Sequence, residues 1–125
     1  MTVLDSSAVL AVAFGETGAS AVLSVAPSAL LSAANLAEVL TVAERKNVDS
    51  DKVFHEILGL GVTIVPVTDS QAIMAAKLWL LARSLNLSLG DRICLALAIE
   101  RNVEVLTSDR EMTRIAVAVP VTLFR

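Results

Sequence analysis

Residues 89–109 read LGDRICLALAIERNVEVLTSD, and this stretch decides the fold. Its Ala- and Leu-rich first part reads as a helix over Asp91–Arg101, preceded by the loop Leu87–Gly90. Past Asn102, the short run Val103–Leu106 reads as a strand, with Thr107, Ser108 and Asp109 just beyond it. A helix that leads directly into a short apolar strand is half of a parallel α/β unit, whose strands are buried on both faces.

The same alternation continues in both directions. Toward the N-terminus, a helix capped by Asp69 or Ser70 runs to about Ser84. Val62–Val67 is a strand whose pairing is limited by Pro66. A helix starts at Asp49 or Asp51, runs to Leu58 and stops at Gly59 and Gly61. Leu36–Arg45 is a helix with Asn35 near its cap, and Leu30–Ala33 precedes it as a strand. Ser6–Phe14 and Thr17–Val25 are helices broken near Gly15 and Gly18, and Thr2–Leu4 is the first strand, ending at Asp5. Toward the C-terminus, a short helix follows Asp109 and Val119–Phe124 is the last strand. The expectation is an α/β fold, a three-layer α/β/α sandwich with a mostly parallel central sheet. At 125 residues, without repeats or linkers, the chain is expected to form a single domain over 1–125.

Hydrophobic residues make up 55% of the chain and its mean hydropathy is +0.72, which calls for burial of apolar surface against a second subunit or on several helix faces. The longest uncharged stretch, Thr17–Ala37, contains Gly18, Pro27, Asn35 and four serines, a poor membrane span. No basic region precedes the first apolar residues, so no secretory signal is expected. Cys94 has no cysteine to pair with, and a cytoplasmic location follows as the expectation. The net charge of −3, with only Phe14, Phe54, Phe124 and Trp79 as aromatics, argues by itself against a nucleic-acid binder.

Four acids change that reading, and they account for more than the whole net charge. Asp5 and Asp109 follow strands and lie at the carboxyl edge of the expected sheet, where α/β folds place their sites. Glu38 and Asp91 lie in the first turns of helices that can present them to the same edge. Taken singly, each is an ordinary cap; Glu38 fits the third position of a capping box with Asn35. Taken together, four converging carboxylates repel one another unless a cation joins them. An all-oxygen donor set without His or thiolate suits Mg²⁺ or Mn²⁺, and such a site can hydrolyse a phosphodiester.

The motifs Val3-Leu4-Asp5-Ser6-Ser7-Ala8, Asn35-Leu36-Ala37-Glu38-Val39, Leu89-Gly90-Asp91-Arg92 with Cys94-Leu95-Ala96-Leu97-Ala98, and Val105-Leu106-Thr107-Ser108-Asp109-Arg110 together resemble the PIN-domain nucleases, in order and along essentially the whole chain. The resemblance is to the VapC toxins of bacterial toxin–antitoxin pairs. It implies a Mg²⁺- or Mn²⁺-dependent endoribonuclease acting on RNA, restrained by a VapB-like antitoxin and forming a homodimer. By motif position it makes Asp5 and Asp91 the main metal ligands. Glu38 and Asp109 then serve a second metal or act through water, and Ser6, Asn35 and Thr107 support the site. Glu111-Met112 departs from relatives that carry an aromatic there. A nuclease of RNA maturation would carry the same motifs.

Arg92 and Arg110 each follow a site acid and are candidates for binding substrate phosphates, or for pairing with the carboxylates. The helix holding Trp79 is apolar on nearly every side, which points to an interface with a second copy or an antitoxin. His55 reads as a surface residue and Cys94 as a buried small hydrophobe. A receiver-type signalling domain also gathers acids and Mg²⁺ at a sheet edge, but needs a Lys after a late strand. Lys46, Lys52 and Lys77 are the only lysines, and none stands there.

Overall fold

Val3 and Leu4 are neighbours in sequence and both fully buried, yet each belongs to a different hydrophobic cluster. The period-two alternation of a strand causes this, because successive side chains leave a sheet on opposite faces. The computed structural model describes residues 1–125 and contains five short strands: β1 (Thr2–Leu4), β2 (Ala29–Ser32), β3 (Thr63–Val65), β4 (Glu104–Thr107) and β5 (Val121–Leu123). They form one sheet in the order β3-β2-β1-β4-β5, parallel throughout.

Four helices cover one face: α1 (Ser6–Ala13), α2 (Ala19–Val25), α3 (Ala33–Arg45) and α4 (Ser50–Gly59). Leu4 and Leu31 pack there against Val9, Val22, Val39 and Ile57. Three helices lie on the other: α5 (Asp69–Lys77), α6 (Trp79–Ala82) and α7 (Leu89–Arg101). Val3, Leu30 and Val105 pack there against Leu78, Ala82, Leu95 and Ala98. Burial of each large aliphatic side chain contributes roughly 1.5–3 kcal/mol, so the two clusters hold the three layers together. No helix is long and apolar enough to cross a membrane.

Several helix boundaries differ from expectation: α2 begins at Ala19, and α7 begins at Leu89, because the Ser88 hydroxyl caps it, so Leu89 and Gly90 belong to the helix and not to the loop before it. The helix expected to start at Leu36 begins at Ala33, because the Ser32 hydroxyl accepts the Ala34 amide and serves as the cap. Asn35 is therefore inside the first turn, fully buried, and caps nothing. The long helix expected up to Ser84 is α5 and α6, followed by a 3-10 turn over Arg83–Leu85. The break lies at Leu78, whose ψ of −12° opens the turn while its side chain stays in the core. Ile73, Trp79, Leu80 and Leu81 remain exposed.

Candidate active site

From β1 the chain builds outward through β2 to β3, then crosses back to place β4 on the other side of β1. The winding direction reverses between β1 and β4, and the carboxyl ends at such a switch point are where parallel α/β sheets place their sites. Asp5 is the residue after β1 and is 3% exposed. Its amide extends the ladder by donating to the Leu106 carbonyl at 3.0 Å.

Two hydroxyls hold the Asp5 carboxylate. Thr107, the last residue of β4, donates to Oδ2 at 2.7 Å, and Ser7 donates to the same oxygen at 2.9 Å. Each hydroxyl is itself oriented by an amide beyond β4: Asp109 N–H donates to Thr107 Oγ1 and Ser108 N–H to Ser7 Oγ, both at 3.0 Å. These two relays polarise the hydroxyls toward the carboxylate and lock β1 to the loop after β4. The Ser6 hydroxyl is 3.5 Å from Asp5 Oδ1, so the main support comes from its neighbour Ser7.

Glu38 lies on α3 and is held by Asn35, whose Nδ2 donates to Glu38 Oε1 at 2.7 Å and to the Gly90 carbonyl at 3.3 Å. One buried amide thus ties α3 to the start of α7. Asn35 Oδ1 is buried and accepts no hydrogen bond from the chain. Gly90 is required for the close approach: a Cβ there would meet the Glu38 carboxylate, with the Cδ carbon only 2.6 Å away. Next to it, Asp91 closes a capping box, accepting the Ser88 amide at 2.8 Å while its own amide donates to Ser88 Oγ at 3.2 Å.

Electrostatics shows which of the four acids share a field. Burial raises the Asp91 carboxyl to about 6; the Ser88 amide opposes the rise, and Asp5 and then Glu38 add to it. Beneath them, burial pushes the Cys94 thiol well up, and Asp5, Asp91 and Glu38 push it further. Asp5, Glu38 and Asp91 therefore lie near enough for their charges to act on one another. Asp109 connects to Asp5 through Thr107, and its Oδ1 caps the following turn by accepting the Glu111 amide at 2.9 Å.

The arginines divide. Arg92, read as a phosphate contact or a carboxylate partner, is neither: its Nη1 donates to the Ala75 carbonyl on α5 at 2.9 Å, and its Nε is buried. Packing of α7 against α5 turns this side chain away from the acids, so it joins two helices. Arg110 is exposed beside Asp109.

Ser7, Ser88 and Gly90 are the contributors that motif reading passed over. The Ser-Ser pair after Asp5 and the Ser-x-x-Asp spacing before Asp91 were the available signals.

None of the protein's three ion pairs involves any of the four acids. No three acidic, histidine or cysteine side chains are placed to hold one metal ion together. This donor set fits Mg²⁺, which takes one or two carboxylates directly and keeps water in its remaining positions. The unpaired Asn35 Oδ1 is an acceptor for such a water.

The sequence model of the PIN domain matches residues 2–118. No curated protein matches the sequence. Among solved structures, a chain of a toxin–antitoxin complex from Klebsiella pneumoniae superposes with a TM-score of 0.77 at 19% identity, covering 100% of this chain and 98% of that one. A chain of DNA-bound VapBC from Salmonella typhimurium gives 0.78 at 18% identity, covering 99% and 98%. The Mycobacterium tuberculosis toxin VapC20, described as cleaving the sarcin-ricin loop, gives 0.74 at 16% identity, covering 90% and 92%.

Proposed function

Because the chain belongs to the PIN-domain family, we propose that it is a metal-dependent endoribonuclease and the toxin of a VapBC-type pair. The carrying observation is that Asn35 ties Glu38 to Gly90 beside Asp91, within reach of the Asp5 charge, while no ion pair engages any of these acids. The fold likeness to toxin–antitoxin complexes supports the toxin role, and the description of VapC20 supports RNA as the substrate.

Asp5 and Asp91 would hold Mg²⁺ or Mn²⁺, with Glu38 and Asp109 serving a second ion or acting through water. When bound, the ion supplies Lewis-acid charge at the scissile phosphate and at the attacking water. The chain's own groups do the positioning. Thr107 and Ser7 fix the Asp5 carboxylate in one orientation. Asn35 aims Glu38, whose free oxygen is placed to orient water or take its proton. Arg110 is left as a phosphate contact next to the site. A second copy of the chain would cover the exposed apolar face at Ile73, Trp79 and Leu80, and a VapB-like protein would be the restraining partner. Solution mass by light scattering separates dimer from monomer.

The direct test is incubation of purified protein with labelled RNA. Cleavage is expected with Mg²⁺ or Mn²⁺ and none with chelator; equal cleavage in chelator would rule out the mechanism.

Gly90 provides a second check. Gly90→Ala should leave the protein folded, because the atoms its Cβ would meet are the far end of the flexible Glu38 side chain. The displaced Glu38 carboxylate should nonetheless lower kcat/KM on the order of 10- to 100-fold. Full activity in a folded Gly90→Ala protein would show that Glu38 does not need its present position.

A further inference from the structure

Of three surface recesses, one is lined by a site acid, and that acid is Glu38. This recess is a groove of about 380 Å³ between α1 and α3, lined by Ser6, Leu10, Glu38, Thr41, Val42 and Arg45 among others. Glu38, Thr41 and Arg45 recur at helical spacing, so they follow one another along one face of α3. Seven residues at ~1.5 Å each put the Arg45 backbone about 10 Å from that of Glu38.

Arg45 is exposed and takes part in none of the ion pairs or side-chain hydrogen bonds. The neighbouring charges are engaged elsewhere: Glu44 accepts from Ser50 at 2.6 Å, and Lys46 sits 5.1 Å over the Phe14 ring. A cation in the last turn of a helix is ordinarily explained by the helix dipole. That explanation does not require the side chain to line a groove that begins at a site acid.

We propose that this groove seats the RNA strand flanking the cut, with Arg45 paired to a flanking backbone phosphate. The inference rests on the nuclease reading above. A polyanion that approaches a group of carboxylates meets repulsion at each flanking phosphate. A guanidinium about one Debye length away, ~10 Å at 0.1 M salt, offsets it and binds phosphate with two parallel hydrogen bonds. The floor at Leu10 and Val42 offers apolar contact but no aromatic on which a base can stack. The groove therefore holds the strand by its backbone and does not read its sequence.

The test compares wild type, Arg45→Ala and Arg45→Lys on one single-stranded RNA of about 12 nucleotides with Mg²⁺, over a salt series. Arg45→Ala should raise KM about tenfold while kcat stays within about twofold, and should flatten the slope of log affinity against log salt by about 0.7. Arg45→Lys keeps the charge and should retain the slope. The Mg²⁺-induced rise in melting temperature should be the same in all three. Cleavage by Arg45→Ala with wild-type KM and salt slope overturns the proposal, and is the result expected if the groove seats a protein partner. Absence of cleavage by the wild type with either metal overturns the nuclease reading itself.

Discussion

Asp5→Asn is expected to reduce RNA cleavage by on the order of 10³-fold or more, without unfolding the protein. The substitution keeps the shape of the side chain and removes only its charge. Asp5 is 3% exposed and accepts two hydroxyl protons on Oδ2, from Thr107 and Ser7. An amide oxygen turned toward those hydroxyls preserves both bonds, which leaves an NH₂ group where a cation has to sit. Turning the amide the other way sets a donor against two donors and disturbs the relays from Asp109 N–H and Ser108 N–H. Either orientation fails at the metal. Stability moves differently, because removing one charge from a repelling group relieves the metal-free fold. The metal-free melting temperature should therefore hold or rise, while the gain on adding Mg²⁺ disappears. A folded Asp5→Asn protein that keeps more than about a tenth of wild-type activity contradicts the site as drawn.

Asp5 and Asp109 were legible in the sequence because each follows a short apolar run, and the end of such a run marks the sheet edge. The parallel sheet was legible for the same reason: Val3, Leu4, Leu30, Leu31 and Val105 leave no polar face. Features set by contacts between distant segments were not. Ser32 is the last residue of β2 and its hydroxyl also starts α3, which moves Asn35 from cap to buried clamp. Ser6 and Ser7 are indistinguishable in composition; the turn into α1 decides which hydroxyl faces Thr107. Gly90 read as a loop residue, and only the Glu38 side chain arriving from 52 positions earlier explains it. Arg92 sits beside Asp91 in sequence, but the next residue on a helix points about 100° away, and here that direction is toward Ala75. The break at Leu78 carries neither glycine nor proline and had no local signal.

The response to Mg²⁺ should collapse in acid, with Asp91 setting the pH. Burial, Asp5 and Glu38 raise this carboxyl to about 6, against about 4 for an unconstrained aspartate. Between those two values the folded protein keeps a proton that the unfolded chain has released. Without metal, stability therefore falls as pH rises from about 4 to 6 and levels off above, the reverse of a salt-bridged aspartate. A cation that needs Asp91 ionised competes with that same proton. Below pH 6 its apparent affinity should drop about tenfold per pH unit, while above pH 7 it should be nearly flat. Thermal shift against Mg²⁺ concentration, at intervals from pH 5 to pH 8, reads both effects at once. Asp91→Asn serves as the control: its metal-free stability should lose the fall between pH 4 and 6, and its Mg²⁺ response should be weak at every pH. The two curves have opposite signs in the wild type, so general acid damage to the fold cannot imitate them. An apparent Mg²⁺ affinity that stays constant from pH 5 to pH 8 removes Asp91 from the metal's ligands.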